Sequence, residues 1–70
     1  MGVSFEQLEA FVAAAEQGSF SAAGRSLRKA QSAVSTQVAN LEADLGVTLF
    51  SRVGRNPVLT AAGDRLLREA

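Results

Sequence analysis

The chain is 70 residues long, carries seven basic and seven acidic residues, and contains neither cysteine nor histidine. That length allows one small domain with a thin core, and the missing residue types exclude disulfides, cysteine nucleophiles, imidazole acid–base chemistry and the usual zinc sites. Hydrophobic residues make up 47% and are spread along the whole length, so a folded domain is expected rather than a disordered segment. The zero net charge is unevenly distributed: residues 25–55 hold Arg25, Arg28, Lys29, Arg52 and Arg55 against Glu42 and Asp44, a net of +3, whereas residues 1–24 hold only the acids Glu6, Glu9 and Glu16.

The N-terminus lacks the basic-then-apolar order of a signal peptide. Glu6 occupies the position where an N-myristoylation motif needs Ser or Thr. No stretch reaches the roughly 18 apolar residues of a membrane span. No membrane partner is expected, and the cytoplasm is the expected location.

The first helix is predicted over Phe5–Gln17. Ser4 and Gln7 have capping-box spacing, with Val3 and Leu8 placed for a hydrophobic staple. Phe5, Leu8, Phe11, Val12 and Ala15 share one face. Glu6 and Glu9 suit the positive end of the helix dipole, and Gly18 is a good left-handed cap. A short second helix follows over about Ser21–Arg28, capped by Ser19 or Ser21. Gly24 lies within it, which makes sense where another helix crosses closely.

The third helix is predicted from Gln31 or Ser32 to Leu45, with Val34, Val38, Leu41 and Leu45 as its apolar stripe and Gly46 as its terminator. The few residues around Arg28–Ala30 that separate it from the second helix force a steep crossing, as in helix-turn-helix units. Val47, Leu49, Phe50 and Val53 then lean toward β structure, and Gly54-Arg55-Asn56-Pro57 is a turn cluster. A hairpin is predicted over about Leu49–Arg52 and Pro57–Leu59, with Pro57 at a strand start or edge. Thr60 can cap a fourth helix from Ala61, with Leu66 and Leu67 as its apolar contacts.

This order gives a mostly α fold with a small β-hairpin: a winged helix-turn-helix with a three-helix core, a two-stranded wing and the start of a fourth, linker helix. The domain is expected over residues 1–59, with the helix-turn-helix at 19–45 and the beginning of a linker or dimerisation helix at 60–70. In such a fold the third helix enters the DNA major groove. Gln31 can pair bidentately with adenine, Ser35 can bond a base or phosphate, and the Thr36 methyl can meet a thymine methyl. Ser32 shares this helix start, and Gln37 and Asn40 lie further along the same helix. Ser19 and Ser21 at the start of the second helix complete the helical set. Arg52 and Arg55 flank the hairpin tip, where arginines can follow the backbone or enter a minor groove. The bland alternative for each residue is an ordinary solvated surface. Arg25, Arg28 and Lys29 could meet phosphates or pair with Glu42 or Asp44.

The chain also resembles the LysR-type transcriptional regulators. The resemblance rests on Phe11-Val12-Ala13 through Gly18-Ser19-Phe20-Ser21-Ala22-Ala23, on Gln31-Ser32-Ala33-Val34-Ser35-Thr36-Gln37-Val38, and on Leu41-Glu42 with Leu45-Gly46-Val47. Leu49-Phe50-Ser51-Arg52 with Gly54-Arg55, and then Leu59-Thr60-Ala61-Ala62-Gly63, complete it, so that it covers about Phe5–Leu67. It implies a bacterial regulator that binds partly palindromic double-stranded DNA near promoters. It also implies a homodimer or tetramer in the full-length protein, and a small-molecule effector bound only through a separate C-terminal domain that this chain lacks. The chain is thus expected to be the DNA-binding fragment of a longer regulator.

Three positions depart from the family pattern. Ala30 stands where Ser or Thr usually caps the recognition helix, at a cost of about 1 kcal/mol, unless Ser32 takes over as cap. Thr36 stands where Arg or Lys is common, and Lys29 replaces a usual apolar residue. The alternative function is a winged-helix protein–protein interaction module without DNA binding. No catalytic residues, metal ligands or cofactor are proposed, because no acid–base constellation is evident and an enzyme is not expected.

Overall fold

The computed structural model describes residues 3–51 and 57–69. In chain order these form α1 (Phe5–Gln17), α2 (Phe20–Leu27), α3 (Gln31–Leu45), β1 (Phe50–Ser51), β2 (Val58–Leu59) and α4 (Ala61–Glu69). No helix among the described residues is long and apolar enough to cross a membrane.

Helix α1 starts where the spacing predicts. The Ser4 hydroxyl accepts from the Gln7 N–H at 3.2 Å, and the Gln7 side-chain oxygen accepts from the Ser4 N–H at 2.8 Å. Two of the orphan donors of the first turn are thereby satisfied. Gly18 ends the helix at φ 76°, where a side chain would be strained. The buried face differs from the expected one. Phe11 is fully enclosed, but Gln7, Ala10, Ala13 and Ala14 are buried with it, while Phe5 is 76% exposed. The reason is that α1 packs against both α2 and α3. The alanines let two helices approach closely, and Leu8, Val12 and Ala15 are left at the half-buried margin.

Helix α2 begins one residue earlier than expected, because Ser19 is its N-cap and accepts from the Ala22 N–H at 3.0 Å. It ends at Arg28, a non-glycine residue in the left-handed conformation at φ 59°. Gly24 explains the tight turn that follows. A Cβ there would lie 2.7 Å from the Lys29 carbonyl oxygen and 3.3 Å from the Gln31 nitrogen. The close approach is thus to the backbone of the turn and of the start of α3.

Helix α3 begins at Gln31 with Ala30 as an N-cap that makes no side-chain hydrogen bond, so Ser32 does not take over the capping. Val34, Val38 and Leu41 are fully buried, but Leu45 is 42% exposed, so the stripe seals only three of its four members. Gly46 closes the helix at φ 71°.

The strands pair antiparallel, Phe50 with Leu59 and Ser51 with Val58. Pro57 directly precedes β2, a position where its missing N–H breaks no ladder. Val53 and the turn cluster Gly54–Asn56 lie outside the described residues. The base of the hairpin is built into the core: Leu49 and Phe50 are each 1% exposed. The Phe50 ring lies 5.5 Å from that of Phe11 and 5.7 Å, edge-on, from that of Phe20. Such tilted and edge-to-face pairs add to the burial of the rings. Finally, Thr60 caps α4 by accepting from the Gly63 N–H at 3.0 Å, as expected. Leu66 and Leu67 pack partly on the core.

Candidate nucleic-acid interface

The burial of Val34, Val38 and Leu41 against α1 and α2 decides which side of α3 faces outward. Gln31, Ser32, Thr36 and Asn40 are exposed, together with Ala39 and Ala43. Ser35 and Gln37 flank this face and are half-buried. Ser32, Thr36, Ala39 and Ala43 step by four, three and four residues, which is one continuous helical stripe. Its small side chains permit close approach of another surface. Ala39 and Ala43 were not expected on this face; the available signal was their spacing, with Ala39 three residues beyond Thr36 and Ala43 four beyond Ala39.

No side-chain hydrogen bond or ion pair engages Gln31, Ser32, Ser35, Thr36, Gln37 or Asn40 among the described residues. Their donors and acceptors stay available to an outside partner. The start of the helix is equally open. Ala30 supplies no side-chain acceptor; its carbonyl accepts from the Ala33 N–H at 3.0 Å, so the N–H groups that depend on solvent or a bound anion are those of Gln31 and Ser32. No acidic residue lies in the first turn to oppose such an anion.

Ser19, the N-cap of α2, and Ser21 within it occupy different settings. Ser19 is half-buried, and its oxygen is engaged as the cap of α2. Ser21 is exposed and accepts from the Arg25 guanidinium at 3.1 Å. Arg52 and Arg55 lie outside the described residues. The structure therefore brings Gln31, Ser32, Ser35, Thr36, Gln37 and Asn40 together on one helix, and sets Ser19 and Ser21 at the head of the neighbouring one.

Charges sort themselves around this face. Arg25 and Arg28 are exposed and Lys29 is half-buried, at the end of α2 and in the turn. The acids of α1 sit on the helix that packs behind α3. The pairing considered between these cations and Glu42 or Asp44 does not occur. Among the described residues the one ion pair joins Arg68 to Asp64. Glu42 instead accepts from the Leu49 N–H at 2.7 Å and the Phe50 N–H at 3.1 Å. Asp44 accepts from the Gln7 side-chain amide at 3.2 Å, which ties the start of α1 to the end of α3. Both acids are engaged by uncharged partners, Glu42 seven and eight residues along the chain and Asp44 far from it in sequence, so neither is paired with the cations beside α3.

Known proteins share this arrangement. The family model described as bacterial regulatory helix-turn-helix protein, lysR family, matches residues 5–64. The transcriptional regulator AceR of Acinetobacter baumannii is 57% identical over 61 residues, which cover 87% of this chain and 20% of AceR. The regulator ClcR of Pseudomonas putida is 46% identical over 68 residues, covering 97% of this chain and 23% of ClcR. The chain thus spans only about a fifth to a quarter of these relatives. Among solved structures, the DNA-binding domain of CbnR in complex with DNA superposes with a TM-score of 0.90 at 44% identity, over 94% of this chain and 76% of that one. The DNA-binding domain of BenM, solved with the benA site 1 DNA, gives 0.88 at 35% identity, over 99% and 75%. The fold is that of the winged-helix domains of LysR regulators, and this chain belongs to the LysR family of bacterial regulatory helix-turn-helix proteins.

Proposed function

We propose that this chain is the sequence-specific DNA-binding domain of a LysR-type transcriptional regulator, with α3 as the helix that enters the major groove. The observation that carries this reading is the outward face of α3. Its polar side chains are unengaged, its first turn is free of acids, and a packed core holds it from behind. CbnR and BenM domains of the same fold were solved with DNA, which favours this reading over a protein-interaction module.

In this reading Gln31 contacts adenine, and Ser32, Ser35 and Thr36 contact neighbouring base edges or phosphates. Gln37 and Asn40 reach phosphates or the groove wall. Ser19 and Ser21 meet the backbone at the head of α2, and Arg52 and Arg55 follow the backbone or enter the minor groove. Residues 1–59 form the DNA-binding domain, and α4 opens the linker through which a longer, non-enzymatic regulator assembles as a dimer or tetramer. Effector sensing then belongs to other parts of that protein, which works in the cytoplasm.

Selection of duplexes from a random library by this chain, followed by affinity measurements across a salt series, tests the proposal. Affinity for the selected site should fall steeply as salt rises, because phosphate contacts release counterions. A flat salt dependence, or no enriched sequence, sinks it.

A further inference from the structure

We infer that Glu42 is a positioning residue: it ties the base of the wing to the reading helix and so sets where the wing meets a bound duplex. The inference rests on the DNA reading proposed above.

Glu42 lies in the last turn of α3. A carboxylate there faces the negative end of the helix dipole, which is locally unfavourable. Its position is explained by what it touches. The same carboxylate oxygen accepts from the N–H groups of Leu49 and Phe50, both almost fully buried. These are charge-assisted bonds to the backbone donors of two buried residues. Ring contacts with Phe11 and Phe20 hold the Phe50 side chain. Pairing with β2 holds the strand from one side, and the carboxylate adds a tie to α3 through two consecutive backbone groups.

The other side of the same segment is held by α4. The Thr60 N–H donates to the Leu49 carbonyl at 3.0 Å, and the Thr60 hydroxyl donates to the Thr48 carbonyl at 2.6 Å. A Cβ on Gly63 would come within 2.2 Å of the Leu49 oxygen, so α4 rests directly on this backbone. Thr48–Phe50 is thus a junction of α3, the hairpin and α4, and Glu42 supplies the α3 side of it. Arg52 follows Ser51 in sequence, so β1 is the strand that leads toward that arginine.

The test compares this chain with Glu42→Gln and Glu42→Ala, using the duplex selected as above and amide hydrogen exchange. Exchange at Leu49 and Phe50 should speed up by about tenfold or more in Glu42→Ala, as expected when charge-assisted bonds are removed, and by less in Glu42→Gln, which keeps one acceptor oxygen. The plot of log affinity against log salt should become shallower by about 0.9 for each phosphate that the wing no longer neutralises, with the base preference of α3 unchanged. Simple destabilisation lowers affinity evenly at every salt concentration and leaves that slope alone. Unchanged slopes in both variants, or unchanged exchange, overturn the inference while the wild-type salt dependence still supports the DNA reading. A wild-type chain that binds no duplex overturns both. If Glu42→Ala does not fold, Glu42→Gln carries the comparison.

Discussion

The two long helices, α1 and α3, differ most where they begin. Helix α1 is closed: the reciprocal Ser4–Gln7 bonds satisfy donors of the first turn, and Glu6 faces the positive end of the dipole. Helix α3 is open: Ala30 offers no side-chain acceptor, and no acid sits in the first turn. Both end alike, at a left-handed glycine. The shared ending and the contrasting beginnings separate two demands. Helix α1 satisfies its first donors within the fold, and α3 leaves those of Gln31 and Ser32 open.

The largest effect should come from breaking what the two helices share. Phe11→Ala removes the ring through which α1 packs the Phe50 base of the hairpin, and should lower stability by about 3–5 kcal/mol in urea unfolding. A loss below about 1 kcal/mol would mean that the core closes over the gap and that α1 is not the holding element. Next in size, Gln31→Ala should weaken binding to the selected duplex by about 1–3 kcal/mol and relax its base preference. Its unfolding free energy should move by less than about 0.5 kcal/mol, since Gln31 is exposed and unbonded. An equal loss on every sequence would make Gln31 a backbone contact instead.

The smallest effects address the helix starts themselves. Ser4→Ala should cost about 1 kcal/mol and Ala30→Ser should gain about as much, or about 4–8 °C in melting temperature in opposite directions. An unchanged melting temperature for Ala30→Ser would show that the open start of α3 carries no penalty in the free protein.

Much of the fold was legible because it depends on neighbours in the chain. The Ser4–Gln7 box, the terminators Gly18 and Gly46, the stripe of Val34, Val38 and Leu41, and the Thr60 cap are all decided within a few residues. Ser35, Thr36, Gln37 and Asn40 were legible as the side of α3 opposite that stripe, with Gln31 and Ser32 at the helix start; Thr36 and Asn40 are exposed there, while Ser35 and Gln37 flank the face half-buried. The exposure of Phe5 and Leu45 was not legible, because periodicity marks a stripe but not which of its edges a neighbouring helix covers. The cap of α2 fell to Ser19 rather than Ser21, a choice between two local candidates that the entry of the chain from Gly18 resolved.

The sequence by itself therefore determined the helices, the caps of α1 and α4, the paired base of the hairpin and the side of α3 that is left polar, since short-range hydrogen bonding and helical periodicity are written in residue spacing. Only the tertiary structure decided the partners of Glu42, Asp44 and Gln7, the left-handed Arg28, and the seating of Thr60 and Gly63 on the backbone of Thr48–Leu49. Each of these joins groups brought together by the packing of α1 and α3 or by the meeting of α3, the hairpin and α4, or is imposed by the tight approach of the turn to Gly24. A carboxylate in the last turn of a helix reads as surface charge until folding places two buried N–H groups in front of it.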